Sequence, residues 1–132
     1  MADELKTKVL LVDDEARFVE ILAERLRVRG FTVDIATSGE AALKLAQEKD
    51  FDAVLLDLSK TGKGGIEVMR EMKKTKPELQ VIILTGQGSI QATVEVMKEG
   101  AMDFMEKPVD INRLIEKIGE ATRKSDLNEG DK

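Results

Sequence analysis

The chain contains no cysteine and no histidine. The first absence excludes disulfides and thiol chemistry, and the second removes imidazole as general base, metal ligand or phosphoacceptor. Long apolar runs are missing too: nothing approaches the roughly 18 consecutive apolar residues that a membrane span needs. The opening MADELKTK lacks an apolar signal core, so a cytoplasmic setting without membrane contact is the expectation. Positive charge is in the minority, with 21 Lys and Arg against 26 Asp and Glu for a net charge of -5. That balance argues against direct nucleic-acid binding by this domain, because gripping a phosphate backbone needs excess cation. Lysines and arginines do crowd Lys60 to Lys76, where a solvated helix face is the simpler reading and a basic face for an acidic partner the other.

What is present fits one soluble domain: 132 residues, 42% apolar and 36% charged, enough for one core and too few for two. The most informative stretch is Phe51 to Ser59, FDAVLLDLS, a short apolar run ending in a carboxylate at Asp57. It reads as a buried central strand delivering Asp57 to its C-terminal tip, the edge at which open parallel sheets bind ligands. In chain order, Lys8 to Val12 is strand-like and stops at Asp13-Asp14-Glu15. Val19, Leu22 and Leu26 fall at helical spacing before Gly30, and Phe31 to Ala36 alternates as a strand. Thr37-Ser38-Gly39 is a turn and cap cluster ahead of a helix marked by Ala42, Leu43 and Ala46. After the Gly62-Lys63-Gly64-Gly65 loop come a helix with Ile66, Met69 and Met72 on one face, then Pro77. Val81 to Leu84 is a second wholly apolar strand ending at Thr85-Gly86. Ile90, Val94 and Met97 repeat at helical spacing until Gly100 and mark a fourth helix, Met102 to Met105 a short strand ending at Glu106-Lys107-Pro108, and Ile111, Leu114, Ile115, Ile118 and Ala121 a fifth helix. Residues 1–7 read as a tail and 125–132 as a polar tail or linker stub.

Five strands alternating with five helices predict an α/β fold, a doubly wound, flavodoxin-like five-stranded parallel sheet of order 2-1-3-4-5. That order brings Asp13, Asp14, Asp57, Thr85 and Lys107 to neighbouring strand tips. Three converging carboxylates repel one another, and a divalent ion is the simplest resolution. All-oxygen ligands without histidine or thiolate favour Mg²⁺ or Mn²⁺ over zinc. A carboxylate so placed can act as a nucleophile toward phosphorus, with metal, the Lys107 ammonium and the Thr85 hydroxyl neutralising the phosphoryl oxygens. Each residue alone has an ordinary structural reading, as a helix cap, a turn or a surface bend. Their agreement at four strand tips is what carries the site.

With these motifs in hand, VLLVDDE, DAVLLDL, VIILTGQG and GAMDFMEKP, the sequence from about Lys8 to Lys124 resembles the receiver domain of bacterial two-component response regulators. The resemblance implies that Asp57 takes a phosphoryl group from the phosphohistidine of a sensor histidine kinase. It implies that Asp14, Asp57 and the Ser59 carbonyl bind Mg²⁺, with Asp13 acting through water. It also implies a cis Lys107-Pro108 bond and a switch in which Thr85 moves toward the phosphoryl group while Phe104 turns inward. The remodelled surface would be that of the fourth helix, fifth strand and fifth helix, which could also form a homodimer. Such a domain has self-phosphorylation and dephosphorylation chemistry and is not a turnover enzyme. The TGQGSIQATVEVMKEGAMDF stretch looks most like receivers of sigma-54-type transcription activators, which would make the protein part of transcription regulation.

Departures and competing readings remain. Family members often carry Met-Pro where this chain has Lys60-Thr61, beside a glycine-rich loop, and Lys60 is a candidate modifier of acyl-phosphate lifetime or partner choice. An aspartate-nucleophile phosphatase would need an acid two residues after Asp57, where Ser59 stands. Gly86-Gln87-Gly88 lacks the third glycine of a dinucleotide fingerprint. A receiver-shaped interaction module that is never phosphorylated is the last alternative.

Overall fold

A computed structural model describes residues 6–58, 64–86 and 90–130, the side chains of 90–92 and 124–130 excepted. Its elements are β1 (Lys8–Val12), α1 (Ala16–Val28), β2 (Thr32–Ala36), α2 (Gly39–Glu48), β3 (Ala53–Asp57), α3 (Gly65–Thr75), β4 (Val81–Thr85), α4 (Ile90–Lys98), β5 (Asp103–Glu106) and α5 (Ile111–Gly130). Local chemistry explains several boundaries. The Ser38 hydroxyl accepts a hydrogen bond from the Ala41 N–H at 3.1 Å and caps α2, while the Asp110 carboxylate accepts one from the Asn112 N–H at 3.0 Å and starts α5. Each satisfies a donor that the first helical turn leaves without an intrahelical partner. Gly64, at φ 81°, supplies the left-handed backbone before α3 that other residues adopt only at a cost.

The strands form one parallel sheet in the order β2-β1-β3-β4-β5. Successive strand side chains alternate between faces, and the two core clusters divide accordingly. Val9, Leu11, Leu55, Ile82 and Leu84 pack with Val19, Leu22 and Leu26 of α1 and Leu114, Ile118 and Ala121 of α5. Leu10, Val12, Val54, Leu56, Val81 and Ile83 pack with Ala42 and Ala46 of α2, Val68, Met69 and Met72 of α3, and Val96 of α4. Helices α1 and α5 thus cover one face, and α2, α3 and α4 the other. With both faces covered, β3 and β4 are buried throughout, which is why they read as continuous apolar runs.

Two elements show more than their sequence pattern does. The helical spacing of Ile90, Val94 and Met97 is met by α4, but of its described side chains Val94 is 51% and Met97 37% exposed, whereas Thr93 and Val96 are buried. The helix carries apolar residues on two stripes, and spacing alone does not say which meets the sheet. In addition, the α5 backbone stays helical through Gly130, into the segment that reads as a polar tail. No proline interrupts that segment, and extending an existing helix is far easier than starting one.

Candidate functional site

The C-terminal ends of β1, β3 and the segment after β5 meet at one point. Asp57 closes β3 and is completely buried, at 0% exposure. Its strand holds it in register opposite Leu84 of β4, and the next residue extends the pairing through the Leu58 N–H, which donates to the Leu84 carbonyl at 3.1 Å. Asp13 follows β1 and is 1% exposed. Its backbone N–H donates to the Ala36 carbonyl at 3.1 Å, and its Oδ1 accepts a hydrogen bond from the Glu15 N–H at 2.9 Å. Asp14, beside it, is exposed. Oxygens of Asp13, Asp14 and Asp57 lie within 4.8 Å of one another, close to the roughly 4.2 Å across a magnesium ion's oxygen shell. Two of these three carboxylates are out of water, so the cluster stores repulsion that only a cation relieves. An all-carboxylate donor set of this size fits Mg²⁺ or Mn²⁺.

Lys107 is the fixed cation. Its backbone N–H donates to the Thr85 carbonyl at 2.9 Å, tying it to the end of β4. The side chain, 17% exposed, reaches back across the sheet edge. Its Nζ lies 2.6 Å from Asp13 Oδ2, 3.1 Å from Glu15 Oε1 and 3.7 Å from Asp57 Oδ1. The face of Phe18 sits 4.4 Å from the same nitrogen, a cation–π arrangement. Burial pushes the Lys107 ammonium toward losing its proton, but hydrogen bonds to Asp13 and Glu15 and the charges of Asp13 and Asp57 outweigh it and hold its pKa above 10.5. Lys107 therefore stays a full cation across the physiological range.

Thr85 ends β4 and is buried. By strand alternation it belongs to the face covered by α2, α3 and α4, whereas Asp57 belongs to the face covered by α1 and α5. Phe104 has the same parity as Thr85, since Met105 beside it packs on the α1 and α5 side, and its ring is 41% exposed. The Lys107-Pro108 peptide is cis. Gly65 begins α3 against the end of β3: a Cβ there would stand 2.8 Å from the Leu58 Cα and 3.3 Å from the Asp57 carbonyl oxygen. Ser59 and residues 60–63 lie outside the described residues, so the Ser59 carbonyl and the Lys60 substitution have no geometry here.

The structure thus brings together Asp13, Asp14, Asp57 and Lys107, and leaves Thr85 and Phe104 close by in register. Glu15 and Phe18, which sequence reasoning did not single out, complete the surroundings of Lys107. Their partner lies about ninety positions away in sequence (Glu15 to Lys107, 92), so no local pattern pairs them; the acidic third residue of Asp13-Asp14-Glu15 was the available signal.

Fold and site together define a doubly wound α/β domain with an acidic, lysine-bridged cluster at the carboxyl edge of its sheet. Residues 9–119 match the response regulator receiver domain family, and the chain belongs to that family. It is 37% identical over 121 residues to the transcriptional regulatory protein ZraR of Klebsiella oxytoca, covering 92% of this chain and 27% of that protein. It is also 37% identical to a putative NtrX-like response regulator of Rickettsia felis, covering 81% of this chain and 23% of that protein. Among solved structures, a receiver domain protein from Clostridium thermocellum superposes with a TM-score of 0.87 at 34% identity, covering 92% of this chain and 98% of that one. NtrX of Brucella abortus, in complex with ADP, gives 0.88 at 30% identity over 96% of this chain and 29% of that one. The chain spans about a quarter of the length of these curated relatives (27% and 23%). Receiver domains are regulatory rather than turnover enzymes, receive phosphoryl groups from sensor kinases, and bind Mg²⁺ at an acidic pocket such as this one. Among the described residues no helix is long and apolar enough to cross a membrane.

Proposed function

We propose that Asp57 is the phosphoacceptor, taking a phosphoryl group from the phosphohistidine of a sensor histidine kinase. The observation that carries this reading is the cluster itself: Asp57 wholly buried, within 4.8 Å of Asp13 and Asp14, with the Lys107 ammonium 3.7 Å away. In the transfer an Asp57 oxygen forms a bond to phosphorus while the bond from phosphorus to the imidazole nitrogen breaks, and the imidazole keeps that electron pair. Asp13, Asp14, Asp57 and the Ser59 carbonyl would hold Mg²⁺ or Mn²⁺. When bound, the ion supplies positive charge to the carboxylates and to the phosphoryl oxygens. Lys107 neutralises a further phosphoryl oxygen, and the Thr85 hydroxyl donates to another.

The same reading assigns a switch to Thr85 and Phe104. Phosphorylation adds up to about two negative charges and three acceptor oxygens at the sheet edge. Thr85, drawn toward one of them, vacates space on the face that α4 covers, and Phe104, half exposed on that side, turns in to fill it. The exposed Val94, Met97 and Phe104 support α4, β5 and α5 as the surface that changes, and as the site of a homodimer. The likeness to transcriptional regulators supports an output in transcription, in a cytoplasmic setting, through chain outside this domain. Incubation with acetyl phosphate, followed by intact mass, tests the core of this reading. A single phosphoryl gain that requires Mg²⁺ and is lost in Asp57→Ala is expected; a gain that survives Asp57→Ala rejects Asp57 as acceptor.

A further inference from the structure

The Lys107 ammonium has three N–H donors. Two of its contacts are hydrogen bonds, to Asp13 at 2.6 Å and to Glu15 at 3.1 Å, while Asp57 at 3.7 Å is within ion-pair reach but beyond hydrogen-bond distance. The Phe18 ring closes another side, 4.4 Å from the nitrogen. Glu15 and Phe18 are three residues apart at the start of α1, neighbours on a single helical turn. Glu15 occupies the N-cap position of α1 but makes no side-chain cap hydrogen bond, and its carboxylate is turned to Lys107 instead. The ammonium is thus engaged away from the oxygen that must react.

We infer that Glu15 and Phe18 are positioning residues that park Lys107 between Asp13 and the ring, so that release of the ammonium from Glu15 sets how fast Asp57 accepts a phosphoryl group. The inference rests on the phosphoacceptor reading above. With acetyl phosphate as donor, an Asp57 oxygen bonds to phosphorus, the bond between phosphorus and the acetyl oxygen breaks, and acetate leaves with the electron pair. As that happens the ammonium must shift from its place against Glu15 and the ring toward a phosphoryl oxygen, which loosens the Glu15 contact. A contact made before the transfer and weakened during it slows the transfer. Glu15→Gln keeps the side chain's length, removes its charge and weakens that hold.

The rate of phosphoryl uptake from acetyl phosphate at saturating Mg²⁺, followed by intact mass, tests this. Glu15→Gln is expected to raise the rate roughly two- to fivefold, the range that a partly exposed ion pair commands. If Glu15 acts through Lys107, the same substitution in a Lys107→Ala background leaves the rate unchanged. If it acts only by repelling the incoming phosphoryl group, the increase persists in that background and the inference is overturned. Should Lys107→Ala take up too little to compare, Phe18→Leu decides. It removes the ring and no charge, so a rise of about twofold supports a parked ammonium and an unchanged rate overturns it. Uptake by the parent at an unaltered rate in Glu15→Gln sinks this inference alone, whereas no uptake by the parent sinks the phosphoacceptor reading with it.

Discussion

Asp13 and Asp57 are buried carboxylates that share the Lys107 ammonium among the described residues. The two buried acids and the exposed Asp14 beside them gather like charge at the sheet edge, which a bound cation relieves. A divalent cation that binds only the folded site must then stabilise the fold, by about 1.4 kcal/mol for each tenfold excess of ion over its dissociation constant. Thermal unfolding with increasing Mg²⁺ should show a midpoint that climbs with concentration in the parent and far less in Asp14→Ala. Equal climbs in the two proteins would place the ion elsewhere. In sequence, Lys107 follows the half-charged β5 and stood out only with the other strand tips. Asp13, Asp14 and Asp57 were legible because they follow or close the apolar runs of β1 and β3, where a charge is conspicuous. Glu15 and Phe18 were not, because their role exists only once β1 and the segment after β5 are brought together.

Among the elements, α4 separates what spacing can and cannot tell. Val94 and Val96 are chemically identical and two positions apart, yet one is 51% exposed and the other fully buried. Val96→Ala is expected to cost about 2 kcal/mol through the space it leaves in the core cluster that α2, α3 and α4 cover, while Val94→Ala stays within about 0.5 kcal/mol. Chemical denaturation of the two variants distinguishes the faces, and the reverse ranking would restore the face that the Ile90, Val94, Met97 spacing suggests. Helix α4 is also tied to α3, where Arg70 donates a hydrogen bond to Glu99 and lies 3.7 Å from Glu95. The Arg70 hydrogen bond, helped by the Arg70 charge, holds the Glu99 carboxyl below its ordinary value of 4.5 against the opposing effect of burial. A folded pKa below the unfolded one means that the pair's contribution is complete above about pH 4.5 and is lost as pH falls through the lower folded value. Carboxylate titration by NMR should find Glu99 low in the parent and returned to the usual range in Arg70→Ala; no change would show that the pair does not form in solution.

For the molecule as a whole, the alternation of β1, β3 and β4 residues between two core clusters is what makes the site possible. Both faces of the central strands are sealed by helices, which leaves the carboxyl edge as the place where their polar ends emerge. Strand order followed from crossover handedness and chain length. Strand count and the burial of β3 and β4 were readable from periodicity, since a parallel sheet covered on both sides demands continuous apolar strands. The extent of α5 was not, because polar residues without periodicity carry no packing signal even where the backbone remains helical. The chemistry proposed for this architecture falls on one group, the Asp57 carboxylate. Borohydride reduction after phosphorylation in Mg²⁺, followed by peptide mapping, reads it directly, because an acyl phosphate is reduced to the alcohol at the residue that carried it. Homoserine in place of aspartate is expected at position 57 and nowhere else. Reduction at Asp13 or Asp14, or a phosphoryl group that resists borohydride and maps to a hydroxyl residue, would contradict it.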